Sequence, residues 1–221
     1  SFLNVRLPTY NDNDYNNQLI CLTPADPGRF WAATWSGLYR LDAQSGRVVE
    51  YYITHPNAGK KHPEAVKRFE LKTTRRMCKD RAGVLWMVDF NNRVIRSVED
   101  GPTRLFERVD TLVADTNPQN DRVESFLDYD EHYLLLGTLD GLVRYNRVAG
   151  RFEACPVTFP GLSAPVKIMS LARSQNGDVL LIANGKPFRV HLSAVNTTAM
   201  PLPLPDDLFQ GQHIVEDQTG S

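Results

Sequence analysis

The sequence has few cysteines. Cys21, Cys78 and Cys155 are the whole complement, separated by 57 and 77 residues, so no metal-ligand spacing exists among them. An odd count leaves at least one free thiol, and all three read as small buried residues of strands. Cysteine usage alone leans towards a reducing compartment. An excess of charge of either sign is also lacking. Lys and Arg total 25 against 26 Asp and Glu, a net charge of −1, which excludes nucleic-acid binding by bulk charge. No run approaches the roughly 18–20 apolar residues that a membrane-crossing helix needs. The opening residues, Ser1 to Pro8, read as neither a signal nor a transit peptide. Helical 3.6-residue periodicity is missing, with one turn at most in residues 64–72. Nucleophile-elbow, zinc-protease, phosphate-loop and dinucleotide motifs are absent too. His55, His62, His132, His191 and His213 show no ligand spacing. Nothing in the sequence calls for a cofactor or a metal.

What is present is ordinary in bulk. Apolar residues make up 42%, charged 23% and aromatic 10%, a globular composition. Fourteen glycines, fourteen prolines and a mean hydropathy of −0.36 suit a turn-rich chain. The length of 221 residues admits one or two domains with a sizeable core.

The informative feature is a repeat. Asp26-Pro-Gly28-Arg-Phe-Trp31 and Asp80-Arg-Ala-Gly83-Val-Leu-Trp86 both place Trp three residues after Gly. Tyr129 to Leu135, Ser174 to Leu180 and Glu216 to Gly220 align on the same anchor, which falls at Gly28, Gly83, His132, Gly177 and Gly220. The position six before the anchor is always apolar: Leu22, Met77, Phe126, Leu171 and Ile214. Twelve after it stand Arg40, Ile95, Arg144 and Arg189, and eighteen after it Gly46, Gly101 and Gly150. On this gap-free frame three units run in step.

Each unit reads as four short strands. Leu19 to Thr23 is followed by a Pro-Asp-Pro-Gly turn, Arg29 to Trp35 by a Ser-Gly hairpin signal, and Leu38 to Leu41 by a turn ending at Gly46. Arg47 to Ile53, rich in β-branched and aromatic residues, closes the unit. Four antiparallel strands every 43–55 residues describe a β-propeller blade. The expectation is an all-β chain with blades at 19–53, 74–109, 122–157 and 167–203. Residues 1–18 would end a preceding blade and 212–221 begin a following one. Four to five blades of a larger propeller follow from that division.

The repeat resembles a specific family. Arg29-Phe-Trp-Ala-Ala-Thr-Trp-Ser-Gly-Leu-Tyr-Arg-Leu-Asp42 and Tyr133-Leu-Leu-Leu-Gly-Thr-Leu-Asp-Gly-Leu-Val-Arg-Tyr-Asn146 are similar to the two-component-regulator propeller repeat. The second unit matches the front half and departs at Asp89-Phe-Asn-Asn92, and the fourth keeps only Gly177, the apolar strand and Arg189. The resemblance implies the periplasmic sensor region of a membrane-bound hybrid two-component histidine kinase of Bacteroides-like bacteria. It also implies further blades, a β-sandwich, a homodimeric parent that alone touches the membrane, and sensing of oligosaccharides from polysaccharide breakdown. It outweighs the compartment suggested by cysteine.

Strand order puts the turn between second and third strands on the same side as the connection to the next blade. That side gathers Trp35, Phe90, Asn91, Asn92, Asp140 and Asn184, with the connections at 54–73, 110–121, 158–166 and 204–211. Trp35 and Phe90 share a register and read either as a platform for a sugar ring or as packing between blades. Asp89, Asn91, Asn92 and Asp140 read either as partners of sugar hydroxyls or as ordinary turn residues. Lys60, Lys61, His62, Lys67 and Arg68 make one connection basic, diluted by Glu64 and Glu70; it is a site for an anionic glycan or a solvated loop. Trp31 and Trp86 lie mid-strand and read as core, and the recurrent arginines as structural. The function expected is ligand binding without catalysis. The alternatives are a protein-interaction scaffold and a glycoside-active propeller. For the latter, Asp26-Pro-Gly-Arg-Phe-Trp31 resembles an Asp-box, although Asp80 breaks the spacing in the second unit.

Overall fold

The structure, a computed structural model, describes residues 18–35, 37–53, 74–89, 91–100, 103–109, 122–192, 197–203 and 214. The described residues are strands and turns, with no helix among them. The expected turn in 64–72 lies outside them, as do most of the terminal segments assigned to neighbouring blades. The chain divides into two compact units after Asp110.

Unit 1 holds two four-stranded antiparallel sheets. Blade 1 is β1 (Leu19–Pro24), β2 (Arg29–Thr34), β3 (Gly37–Asp42) and β4 (Val48–Ile53), paired in chain order. Blade 2 is β5 (Thr74–Lys79), β6 (Leu85–Asp89), β7 (Val94–Asp100) and β8 (Thr103–Arg108), also in chain order. Glycines at the anchor, Gly28 and Gly83, have φ of 74° and 84°, a conformation that side chains with a Cβ rarely adopt. Trp31, Ala33, Leu38 and Tyr52 of blade 1 pack on Leu85, Met87, Ile95 and Phe106 of blade 2. Tyr52 meets Phe106 edge-on with ring centroids 4.8 Å apart, an arrangement worth about 0.5–1.5 kcal/mol beyond its area. Lys79, at the end of β5, donates to Asp26 Oδ1 (3.0 Å) and to the Ala25 carbonyl just past the end of β1. Cys21 Sγ, near the start of β1, lies 3.9 Å from the Thr74 carbonyl that opens β5. Starts meet starts and ends meet ends, so β1 and β5 run in the same direction.

Unit 2 repeats the plan. Blade 3 is β9 (Val123–Asp128), β10 (Tyr133–Thr138), β11 (Gly141–Asn146) and β12 (Arg151–Cys155). After it comes the short β13 (Val157–Thr158). Blade 4 is β14 (Ile168–Arg173), β15 (Val179–Ala183), β16 (Lys186–Val190) and β18 (Met200–Pro201). Between β16 and β18, β17 (Thr197–Thr198) pairs in parallel with β13, tying the outer ends of the two blades together. Leu135, Leu142 and Cys155 of blade 3 pack on Leu171, Leu181 and Phe188 of blade 4. Arg173, four residues before its anchor as Lys79 is before Gly83, donates to the Tyr129 carbonyl of the preceding blade at 2.7 Å. The two units thus use the same cation-to-carbonyl contact between consecutive blades.

Pairing register corrects the gap-free frame of the second unit. Trp31 faces Arg40 and Arg40 faces Glu50. Leu135, Arg144 and Glu153 stand likewise. In blade 2 Trp86 faces Arg96, which faces Glu107, so Arg96 and not Ile95 occupies the arginine position. The turn from β6 to β7 is one residue longer, which shifts everything after it. The glycine match also dissolves, because only residues 101–102 separate β7 from β8, whereas residues 43–47 separate β3 from β4. All four blades carry arginine at this place, and in three it pairs with a fourth-strand glutamate: Arg40–Glu50 at 3.2 Å, Arg144–Glu153 at 3.0 Å, and Arg96–Glu107. Arg40 lies 5.8 Å from the Trp31 ring centre and Arg144 lies 4.6 Å from that of Tyr133, covering aromatic surface as expected of structural arginines.

Candidate functional site

Because inner strands within a unit are parallel, the turns β2–β3 and β6–β7 lie at one end of unit 1. Trp35 sits in the first of these turns, half-buried, while Trp31 and Trp86 are 1% and 2% exposed. The second turn is organised by Asp89, which is fully buried. Its Oδ1 accepts the N–H groups of Asn91 and Arg93, both at 2.9 Å, and its Oδ2 takes the Arg93 guanidinium at 2.6 Å. A buried carboxylate satisfied by two backbone donors and a cation holds a loop and leaves little for a ligand. Asp89 therefore leaves the group of candidate hydroxyl partners. Asn92 adopts φ of 62°, a left-handed conformation that asparagine tolerates, and its N–H donates to the Asp89 carbonyl. Its presence follows from the turn. Asn91 is exposed, with its side chain at the tip. Trp35, Asn91 and Asn92 thus share one end of unit 1. Phe90, Lys60, Lys61 and Arg68 lie outside the described residues.

The matching end of unit 2 carries Asp140. Its N–H donates to Thr138 Oγ1 at 3.1 Å, and Thr138 Oγ1 in turn donates to the Gly141 carbonyl at 3.0 Å. The turn holds its shape through Thr138, and the Asp140 carboxylate stays exposed. Asn184, at φ of 47°, occupies the corresponding turn of blade 4. Its Oδ1 accepts the Lys167 N–H at 2.8 Å, pinning the connection that follows blade 3. Sequence reasoning placed Asn184 on this side without seeing that clamp. It missed Glu124 altogether, a carboxylate buried at 3% exposure and paired with Arg122 at 2.5 Å. The acid–base alternation Arg122, Glu124 at the start of an inner strand was the available signal.

The opposite end is built from turns that satisfy themselves. Asp42 caps its turn by accepting the N–H and hydroxyl of Ser45, which hold its carboxyl below the usual range. Burial alone would raise the Glu153 carboxyl; hydrogen bonds from Asn146 and Arg144 outweigh it and hold it low. Burial pushes the Cys21 thiol up to about 12 and raises that of Cys155, which keeps both protonated and inert. No cluster of metal-ligating side chains occurs among the described residues.

One pH effect follows from blade 4. Asp178, 8% exposed, lies 2.7 Å from His191 Nδ1 and accepts from Asn176 at 2.9 Å, and these bonds lower its carboxyl against the opposing pull of burial. A carboxyl depressed in the folded state stabilises the protein above the unfolded value of about 3.9. That contribution disappears as pH falls through the depressed folded value. Urea unfolding of Asp178→Asn should show lower stability than the parent at pH 7 and a gap that narrows steadily below pH 4. A gap constant from pH 7 to 3 contradicts this role.

No protein-family model matches the sequence, and no curated protein matches it either. Solved structures do. The extracellular domain of the hybrid two-component system BT4673 from B. thetaiotaomicron is similar over 95% of this chain and 26% of its own, with a TM-score of 0.67 and 17% identity. That of BT3049 from the same organism is similar over 96% and 26%, with a TM-score of 0.60 and 15% identity. Virginiamycin B lyase from Staphylococcus aureus is similar over 90% and 59%, with a TM-score of 0.59 and 15% identity. The chain spans about a quarter of the length of the two extracellular domains. At these identities the likeness is one of fold, and the fold is that of β-propeller blades.

Proposed function

We propose that this chain is part of an extracytoplasmic ligand-sensing propeller of a two-component-type signalling protein, with an oligosaccharide as its ligand. The observation that carries the reading is the blade-by-blade likeness, across nearly the whole chain, to two extracellular domains of such systems. The repeat motifs around Trp35 and Asp140 support it independently. Binding uses the turn ends within each unit: in unit 1 Trp35 stacks on a sugar ring and Asn91 bonds its hydroxyls, and in unit 2 Asp140 is the candidate partner of a hydroxyl. Asn92, Phe90, Lys60, Lys61 and Arg68 complete the candidate set. The remaining blades, a β-sandwich and a second copy of the parent are the partners, and the location is periplasmic. The domain acts by binding, because a ligand shifts a signalling equilibrium only through its differential affinity for two states.

A thermal-shift screen of the intact extracytoplasmic region against neutral and acidic oligosaccharides tests this. A ligand at 100 times its Kd stabilises by about 2.7 kcal/mol, and Trp35→Ala should abolish the shift. Silence across a broad panel, or a shift indifferent to Trp35, Asn91 and Asp140, overturns the assigned site.

A further inference from the structure

Unit 2 carries two cations at one position of the repeat. Arg122 stands ten residues before the anchor His132, and Lys167 ten before Gly177. Each immediately precedes an inner strand, β9 or β14, and the two strands pack side by side. Each is fixed through its main chain by the turn of its own blade. The Arg122 carbonyl accepts the Leu139 N–H at 3.1 Å, and the Lys167 carbonyl accepts the Asn184 N–H at 2.9 Å. Leu139 and Asn184 both lie seven after their anchors, so one bond is repeated in the two blades. The cations therefore hold matching places at the end of unit 2 that carries Asp140.

What differs is the residue two positions further on, which occupies a β-bulge. Val123 faces Thr138 and Ser125 faces Gly137, which leaves Glu124 as the extra residue; in blade 4 the extra residue is Met169. The Glu124 side chain is 2% exposed and holds Arg122 through Nε at 2.5 Å, while the Arg122 side chain is 52% exposed. A carboxylate buried on a strand fixes the guanidinium in advance, so little freedom is left to lose on binding. Among the described residues the two terminal nitrogens of Arg122 make no hydrogen bond. Arg93 of unit 1 differs, since it gives both Nε and Nη2 to Asp89. Lys167 is exposed, has Met169 where Arg122 has Glu124, and forms no ion pair among the described residues. Neither does Asp140, next to Leu139. One buried acid thus serves two cations, and the open edge of Arg122 has the fork geometry that receives both oxygens of a carboxylate.

We propose that Arg122 and Lys167 bind the carboxylate of a uronic acid residue, with Glu124 as the positioning residue of Arg122. This rests on the oligosaccharide reading above and narrows it to acidic sugars, Asp140 taking a hydroxyl and the two cations the acid group. The experiment is titration calorimetry of the intact extracytoplasmic region with oligogalacturonate, oligomannuronate and a hyaluronan fragment, each beside its carboxyl-reduced neutral form. One uronide should bind about tenfold tighter than its neutral form, and the advantage should shrink as salt rises. Arg122→Gln and Lys167→Gln should each remove most of that advantage and leave the neutral affinity unchanged. Arg122→Lys should not restore it, because an ammonium has no fork. Arg122→Gln also strands a buried carboxylate and lowers stability. Lys167→Gln, at an exposed residue, carries the test if that variant does not fold. Glu124→Gln should reduce the acid-to-neutral ratio; a lower Tm with the ratio intact overturns its positioning role. A neutral sugar bound as tightly as its uronide leaves the sensor reading standing and overturns this one. So does a preference for the acid that survives Arg122→Gln and Lys167→Gln. Silence with both forms overturns the oligosaccharide reading and this inference with it.

Discussion

Trp86→Ala should cost about 3–5 kcal/mol in urea unfolding, the usual range for a buried tryptophan and a large share of the roughly 5–15 kcal/mol that holds a folded protein together. Two losses combine. The indole is 2% exposed, so its removal opens a cavity on the face of β6 that it shares with Val88, itself fully buried. Its Nε1 also donates to Asp80 Oδ2 at 2.9 Å, while Asp80 Oδ1 accepts the Val84 N–H at 2.9 Å. Asp80 is 5% exposed, so deleting the indole strips a donor from a buried carboxylate. Trp86→Phe separates the effects, because it fills most of the volume and still removes the donor. Its cost should be near 1–2 kcal/mol, in line with the price of one lost charge-assisted bond. A cost below about 1 kcal/mol for Trp86→Ala would show that the indole is not part of the core.

Gly137→Val should be the next most damaging change, and Gly137→Ala already measurable at about 1–3 kcal/mol. No unusual backbone angle is involved. A Cβ at Gly137 would lie 2.8 Å from the Ile168 carbonyl oxygen, 2.8 Å from Ile168 Cγ2 and 2.4 Å from Ser125 Oγ. The serine hydroxyl can rotate away, but the carbonyl is main chain of β14, the inner strand of the next blade. Adding a methyl forces blades 3 and 4 apart and loosens the core around Leu135, Leu171 and Leu181. The equivalent residue of blade 1 is Ala33, fully buried, so a methyl is accommodated where the neighbouring inner strand opens with Thr74. Ser125→Ala in the Gly137→Ala background should recover little, because the backbone contact remains. Full recovery would place the conflict at the hydroxyl instead.

The candidate site divides along the same physical line. That Trp35 and Asp140 occupy turn tips was legible, since a Ser-Gly or Asp-Gly pair after an apolar run marks a hairpin. That Asp89 is consumed by its own turn was not, because the longer β6–β7 connection changes which backbone donors converge on that carboxylate. Asn92 and Asn184 look like ligand-ready polar residues in the sequence, and both are held at positive φ by the turns they make.

Local rules settled the rest of what could be read in advance. The Gly-to-Trp spacing, the apolar residue six before it and the recurrent turn signals determined four strands per blade and placed Trp31 and Trp86 in the core. These features depend on alternation and turn chemistry within a dozen residues. Tertiary structure decided the arginine–glutamate row, where a single extra residue in one hairpin moved the partner of Trp86 from Ile95 to Arg96. It also decided the contacts from Lys79 and Arg173 to the preceding blade and the demand for glycine at 137. Such contacts join residues roughly thirty to fifty-five positions apart on different sheets. Their geometry comes from how closely two twisted sheets approach, a distance set by all the side chains between them together.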